Sequence, residues 1–423
     1  MKHTHSLMPA LVLGLAAVGC GSDDDDGGKG KPDACDVRVA TSDDDRTTIV
    51  EALGDLEPGQ TLCLERGTYT FDRVLTFGGK SDITIRGAGK SRDDVVLDFA
   101  EQTSGDNGVE VEADGFTIEN LTVKDPRGDG IKVTRSDRPT FRNVRAFYST
   151  GSVASNGAYA LYPVESTNVL IEDCDVSGSS DAAIYLGQSK GGIVRRNKAH
   201  AAVIGIEIEN SDDIEVYENE AWDNTNGFLI VNLPALRYKS TNRIKVYDNI
   251  ARDNNRENFG ALFAGEIPRG TGIIVMGANE THVYDNEITG HGGPGLLFSS
   301  WPTFAAIGGL PTEDTEFDQY ATAAYAHGNT FSGNGQNPQD VWSEAPLNFQ
   351  TIEDIFWDGM METGATAQDV LCVKDNGSAT FRSLGGLAGV ANRDLQSTNV
   401  AAHDCTQPAL PPVNIPGVDI PSE

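Results

Sequence analysis

Two glutamates, Glu207 and Glu209, stand in the stretch Gly205-Ile206-Glu207-Ile208-Glu209. On an extended strand alternate residues share a face, so both carboxylates would project from one side, about 7 Å apart. That separation suits the acid and base of an inverting glycoside hydrolase. The same alternation projects Tyr162 from Ala160-Leu161-Tyr162, Tyr185 from Ala183-Ile184-Tyr185 and Lys132 from Gly130-Ile131-Lys132. Arg135, Glu165, Gln188 and Asn210 follow just past these strands. Tyrosine rings offer flat apolar faces to sugar rings, while cationic, carboxylate and amide groups bond hydroxyls or uronates. A lyase or epimerase would need a charge neutraliser and a base, types that Lys132, Arg135, Tyr162 and Tyr185 supply. The candidate ligand-binding set is therefore Lys132, Arg135, Tyr162, Glu165, Tyr185, Gln188, Glu207, Glu209 and Asn210, with Glu207 and Glu209 the catalytic candidates. No complete catalytic signature is present, and alternating Glu on an exposed strand also arises from plain solvation.

A repeat positions these residues. A small residue followed by an alternating strand begins at Gly108, Gly130, Ala160, Ala183, Gly205, Gly227, Gly272 and Gly295, with several starts 22 or 23 residues apart. A second strand ends 14 residues after the start at Val144, Cys174, Asn197, Asn219 and Asn286, and at Asn249 once the insertion Leu233 to Ser240 is set aside. Period-2 strands recurring at that interval describe a coil of three short parallel strands, which must stack on its neighbours to bury its inner face. The predicted fold is all-β: a single-stranded right-handed parallel β-helix with an N-terminal cap and an irregular C-terminal cap.

Asn197, Asn219, Asn249 and Asn286 should then form a ladder inside one corner, satisfying buried backbone groups. Cys174 shares their column with Leu121 and Val144, which makes it a packed thiol. The first outward column reads Glu110, Lys132, Tyr162, Tyr185, Glu207, Leu229, Ile274 and Leu297; Glu112 and Glu209 belong to the second. Tyr162 and Tyr185 are expected as exposed neighbours on adjacent coils, with the insertion 233–240 rising as a wall beside them.

The ends bound the compartment. Residues 1–20 read as an export signal whose close, Ala17-Val18-Gly19-Cys20, resembles a bacterial lipobox, so Cys20 is the expected lipid attachment site. Residues 21–34 are acidic and Gly-rich, a tether. Residues 35–107 hold the cap and first coils, with a short helix over Thr47 to Leu56; coils run from 108 to 335, a C-terminal cap from 336 to 407 and a disordered Pro-rich tail from 408 to 423. With 32 basic and 63 acidic residues, the charge of −31 argues against nucleic acid or an anionic membrane as partner. Export would allow a disulfide at each end, one using Cys35 and Cys63, the other Cys372 and Cys405. The cysteines and histidines form no zinc-like cluster. No metal or cofactor is expected, calcium being the one ion that clustered Asp and Glu would suit, without regular ligand spacing.

The wording of the coils, ALYPVES (160–166), AIYLGQS (183–189), GIEIENS (205–211) and VYEN (216–219), resembles a family of bacterial parallel β-helix repeat proteins of the pectin-lyase-like, carbohydrate-binding and sugar-hydrolase class. The likeness runs from about Thr61 to Asp404. It implies export, often as a lipoprotein, and a c-type cytochrome-like protein as an envelope partner; it carries no catalytic assignment. In β-helices of this type the first strand of the coil lines the substrate cleft. The expectation is a monomeric, lipid-anchored protein on the periplasmic face or cell surface, or secreted if Cys20 is unmodified. It would act as a glycan- or partner-binding scaffold, the alternative being a polysaccharide hydrolase, lyase or C5-epimerase.

Overall fold

A computed structural model describes residues 35–309, 314 and 316–418. The export signal, Cys20 and the tether lie outside the described residues. One coil sets the pattern: a first strand Ile204–Glu209, a second Asp212–Tyr217 and a third Glu220–Trp222. Equivalent strands stack into parallel sheets of eleven, twelve and ten strands among the described residues. Register holds from coil to coil: Ile184 pairs with Ile206, Ile206 with Phe228 and Phe228 with Ile273, all wholly buried. A one-residue slip would turn each of these side chains outward, so burial itself specifies the register.

The asparagine ladder is present and longer than the sequence pattern indicates. Asn197, Asn219, Asn249 and Asn286 continue into Asn329 and Asn376, and from Asn219 on each Oδ1 accepts from the backbone N–H of the asparagine one coil before at 3.0–3.1 Å. Their Nδ2 groups donate back to inner carbonyls, Asn219 to Val194 at 2.9 Å. Cys174 caps the ladder through its own N–H to Asn197 at 2.9 Å, and burial pushes its thiol up to about 12. The other two corners carry ladders too. Ser136, Ser166 and Ser189 each donate a backbone N–H to the serine hydroxyl one coil on, at 3.0–3.2 Å. Asn224, Asn254, His291 and Asn334 line the third corner. Polar columns thus satisfy the backbone wherever a corner interrupts a sheet.

At the N-terminal end the helix Asp45–Asp55 is capped by the Asp44 side chain, and Cys35 and Cys63 form a disulfide. At the other end Cys372 is bonded to Cys405. Two expectations there are corrected. Sheet structure continues past residue 335: Ile355–Trp357 and Phe381–Ser383 extend the first sheet, and Leu371–Lys374 extends the second. Long insertions and short strands hide the period in that part of the sequence. The Pro-rich segment is ordered through residue 418. Val413 and Ile415 are buried against Leu170, Ile193, Tyr217 and Tyr247 on the outside of the second sheet, and Val413 N–H donates to Glu215 at 2.8 Å. Apolar residues facing outward on that sheet give the tail something to bury.

Candidate functional site

The outer face of the first sheet divides in two. Strand register sets Glu110 beside Lys132 and Lys132 beside Tyr162 on one part, and Tyr185 beside Glu207 and Glu207 beside Leu229 on the next. Glu110 and Glu112 are exposed, and Lys132 and Tyr162 are half-buried. From Tyr185 onward the face is covered: Tyr185 is 2%, Glu207 1% and Glu209 7% exposed. The expectation that Tyr185, Glu207 and Glu209 stand on an open stripe is therefore corrected. The cause lies in the column itself. Leu229, Ile274, Met276 and Leu297 point outward as apolar residues and are buried in a second core with Ala264, Ile267, Trp301 and Ala305, against which Phe259 and Phe263 also pack. Insertions 255–270 and 301–309 supply that cover.

At the boundary between the open and covered parts sits a tyrosine and carboxylate cluster. The rings of Tyr159, Tyr162 and Tyr185 lie 4.5–5.0 Å apart, centroid to centroid, with Lys132 Nζ 4.8 Å from the Tyr162 centroid. The Tyr185 hydroxyl donates to Glu209 Oε1 at 2.6 Å, and Asp181 lies beside the Tyr159 hydroxyl. Burial raises all three carboxyls, Asp181 and Glu209 to about 7 and Glu207 well above its ordinary range. The Asp181 and Glu209 charges push Glu207 further in the same direction. Glu207 Oε2 and Asp181 Oδ1 have no hydrogen-bond partner. Three carboxyls this close and this dry cannot all ionise, so the cluster holds protons near neutral pH. Such groups suit proton transfer. With Glu207 covered, however, no glycosidic bond can lie between it and Glu209 as the inverting geometry requires.

The residues just past the first strand all adopt left-handed backbone: φ is 50° at Arg135, 51° at Glu165, 49° at Gln188 and 42° at Asn210. Their side chains mostly hold the fold. Arg135 makes a two-pronged ion pair with Glu112, at 2.6 and 3.1 Å. Arg237, in the insertion 233–240, reaches Glu165 at 3.2 Å, and its backbone N–H donates to Gln188. Asn210 is wholly buried and donates to the Leu233 and Tyr238 carbonyls. Its placement among ligand-binding residues is corrected: it pins the insertion to the corner.

Two members of the cluster, Tyr159 and Asp181, were not singled out from sequence. They precede the strands that begin at Leu161 and Ala182, on the corner where the coil turns into its first sheet. Their signal was an offset from the repeat start, outside the alternating positions. Among the described residues no three His, Cys, Asp or Glu are arranged to hold a metal ion.

A family model described as a right-handed β-helix region matches residues 75–232 and 148–309. No curated protein matches the chain. Among solved structures, it is similar to the A-module of the Azotobacter vinelandii mannuronan C-5 epimerase AlgE4 at 15% identity, over 78% of this chain and 88% of that one, with a TM-score of 0.49. It is similar to pectate lyase Pel9A at 14% identity, over 78% and 72% of the two chains, with a TM-score of 0.43. The periplasmic alginate epimerase AlgG is a third such structure, at 14% identity over 80% and 84%, with a TM-score of 0.43. Likeness at these identities is one of fold.

Proposed function

The chain belongs to the right-handed β-helix family, and from that premise we propose that it is an exported, lipid-anchored glycan-binding protein of the cell envelope. Its binding face is the open part of the first sheet, from Glu110 and Glu112 through Lys132 to Tyr162 and Tyr159. The observation that carries this reading is the half-open pair of Tyr159 and Tyr162, with Lys132 beside it, where the uncovered face ends. A ring face together with a cation and carboxylates is the equipment for holding a sugar. The charge of −31 and the carboxylates at the site favour neutral or amino-sugar glycans over polyuronates.

A second reading has its own support. Asp181 and Glu209 are raised to about 7, the range that acid–base chemistry at neutral pH uses, and they adjoin Tyr159 and Tyr185 at the edge of the open face. On that reading a glycan bound at Tyr162 is also modified.

Binding of the intact protein to an array of neutral, amino-sugar and uronate glycans tests the first reading. Lys132→Ala and Tyr162→Ala should each lower affinity about tenfold or more while the fold is kept, with a stability loss of no more than about 1 kcal/mol. Unaltered binding in both variants would move the site elsewhere. Release of reducing ends, formation of unsaturated uronate or a change of sugar configuration by NMR would establish the second reading, provided that Glu209→Gln abolishes it.

A further inference from the structure

On the covered part of the first sheet's outer face the insertions leave a cavity of about 290 Å³. Leu297, Phe304, Trp342, Leu347, Phe356 and Leu384 are the large apolar residues buried or half-buried along its wall. Among the described residues the charged ones that line it are Glu266, Glu344 and Asp358, with no lysine or arginine. Glu266 and Glu344 are exposed, whereas Asp358 is 1% exposed. Asp358 Oδ2 accepts from the Ser300 backbone N–H at 2.7 Å and the Ser299 hydroxyl at 3.4 Å, Oδ1 accepts from the Met360 backbone N–H at 2.9 Å, and Thr303 is a further side-chain partner.

A concave, mainly apolar space with a few convergent polar groups is the usual form of a small-ligand site, and this one lies at the lower end of a size range of roughly 300–1,000 Å³. Its distinguishing feature is the uniform sign of its charges. An anion entering would meet only carboxylates. An ammonium would come under the charge of Asp358, which lies just behind the cavity wall where Coulomb attraction is poorly screened, and the Phe304, Trp342 and Phe356 rings line the same space.

We propose that this cavity binds a small organic ammonium, its apolar body against the Phe304, Trp342 and Phe356 rings and its cationic head directed to Asp358. The site does not depend on the glycan reading. It lies on the covered part of the face, and none of its residues belongs to the tyrosine and carboxylate cluster. Asp358, which burial raises to about 6, is ionised at pH 7.5 and available as the counter-ion.

Titration calorimetry of the whole chain with n-octylammonium, 1-octanol and octanoate, each below its aggregation concentration at pH 7.5, tests the proposal. The ammonium should bind at one saturable site, and octanoate at least about tenfold more weakly. Asp358→Asn should weaken the ammonium about tenfold and leave octanol nearly unchanged. Ile307→Trp, at an exposed lining position, should obstruct both. If Asp358→Asn fails to give a cooperative thermal transition, the exposed pair Glu266→Gln and Glu344→Gln is read in its place, with a several-fold loss expected for the ammonium alone. The proposal is overturned by absence of saturable ammonium binding, by equal affinity for all three probes, or by affinities that Ile307→Trp and the carboxylate variants leave unchanged.

Discussion

The two parts of the first sheet's outer face are made by the same repeat and differ in what stands on it. In the coils carrying Glu110, Lys132 and Tyr162 the first-column outward positions are polar and at least partly meet solvent. In those carrying Leu229, Ile274 and Leu297 they are apolar and lie under the insertions 255–270 and 301–309. The backbone is indifferent to this change, since each of these strands is already paired with its neighbours above and below. A β-helix can therefore vary its outer columns freely, open on one stretch and roofed on the next. Tyr185, Glu207 and Glu209 occupy the transition, and their chemistry follows from it: polar groups placed for solvent and then deprived of it.

The contrast can be broken most severely from the covered side. Leu229→Asp would bury an unpaired charge between two packed layers and should cost more than about 4 kcal/mol, read as loss of the cooperative transition in chemical denaturation. Tyr185→Ala removes a buried ring and its bond to Glu209, with an expected loss of about 3–5 kcal/mol, whereas Tyr162→Ala one coil earlier should cost about 1 kcal/mol. Equal losses at the two tyrosines would mean that the boundary is misplaced.

The transition zone is sharpened by pH. Because Glu209 and its neighbours are raised in the folded protein, folding retains protons that the unfolded chain has already released. The contribution of Glu209 is fully present below the ordinary carboxylate range and is lost as pH climbs from about 4.5 to about 7, and Glu207, raised in the same direction, adds to the fall. Glu209→Gln should flatten that fall and raise the thermal midpoint at pH 8. A midpoint unchanged from pH 4.5 to 8 in the wild-type chain would show that the carboxyls are solvated. The smallest effect is expected on the open side, where Glu110→Gln should alter stability by no more than about 0.5 kcal/mol.

Much of the architecture was legible because its signals are local and repeated. The alternation in Gly205-Ile206-Glu207-Ile208-Glu209 states which side chains face inward, and the constant offset to Asn197, Asn219, Asn249 and Asn286 states which stack. The serine ladder was equally available: Ser136, Ser166, Ser189 and Ser211 each fall six residues after a repeat start. A further clue was present in the outward column, where Leu229, Ile274 and Leu297 would be costly to leave in water and so called for a cover. What would provide it was not written nearby.

Coil geometry, the inner core and the corner ladders were thus determined by the sequence itself, because each rests on residues one repeat apart whose spacing survives every insertion. The fate of the outer face was decided only in three dimensions. Tyr185 joins Ala264, Trp301 and Phe356 in one apolar cluster although long stretches of chain separate them. Val413 meets Glu215 across 198 residues. No periodicity encodes such contacts, since an insertion has no register of its own and settles wherever apolar surface remains to be buried. Whether Glu207 is a solvated carboxylate or a protonated one in a dry cluster is set by that settling, and so, with it, is where on this β-helix a ligand can lie.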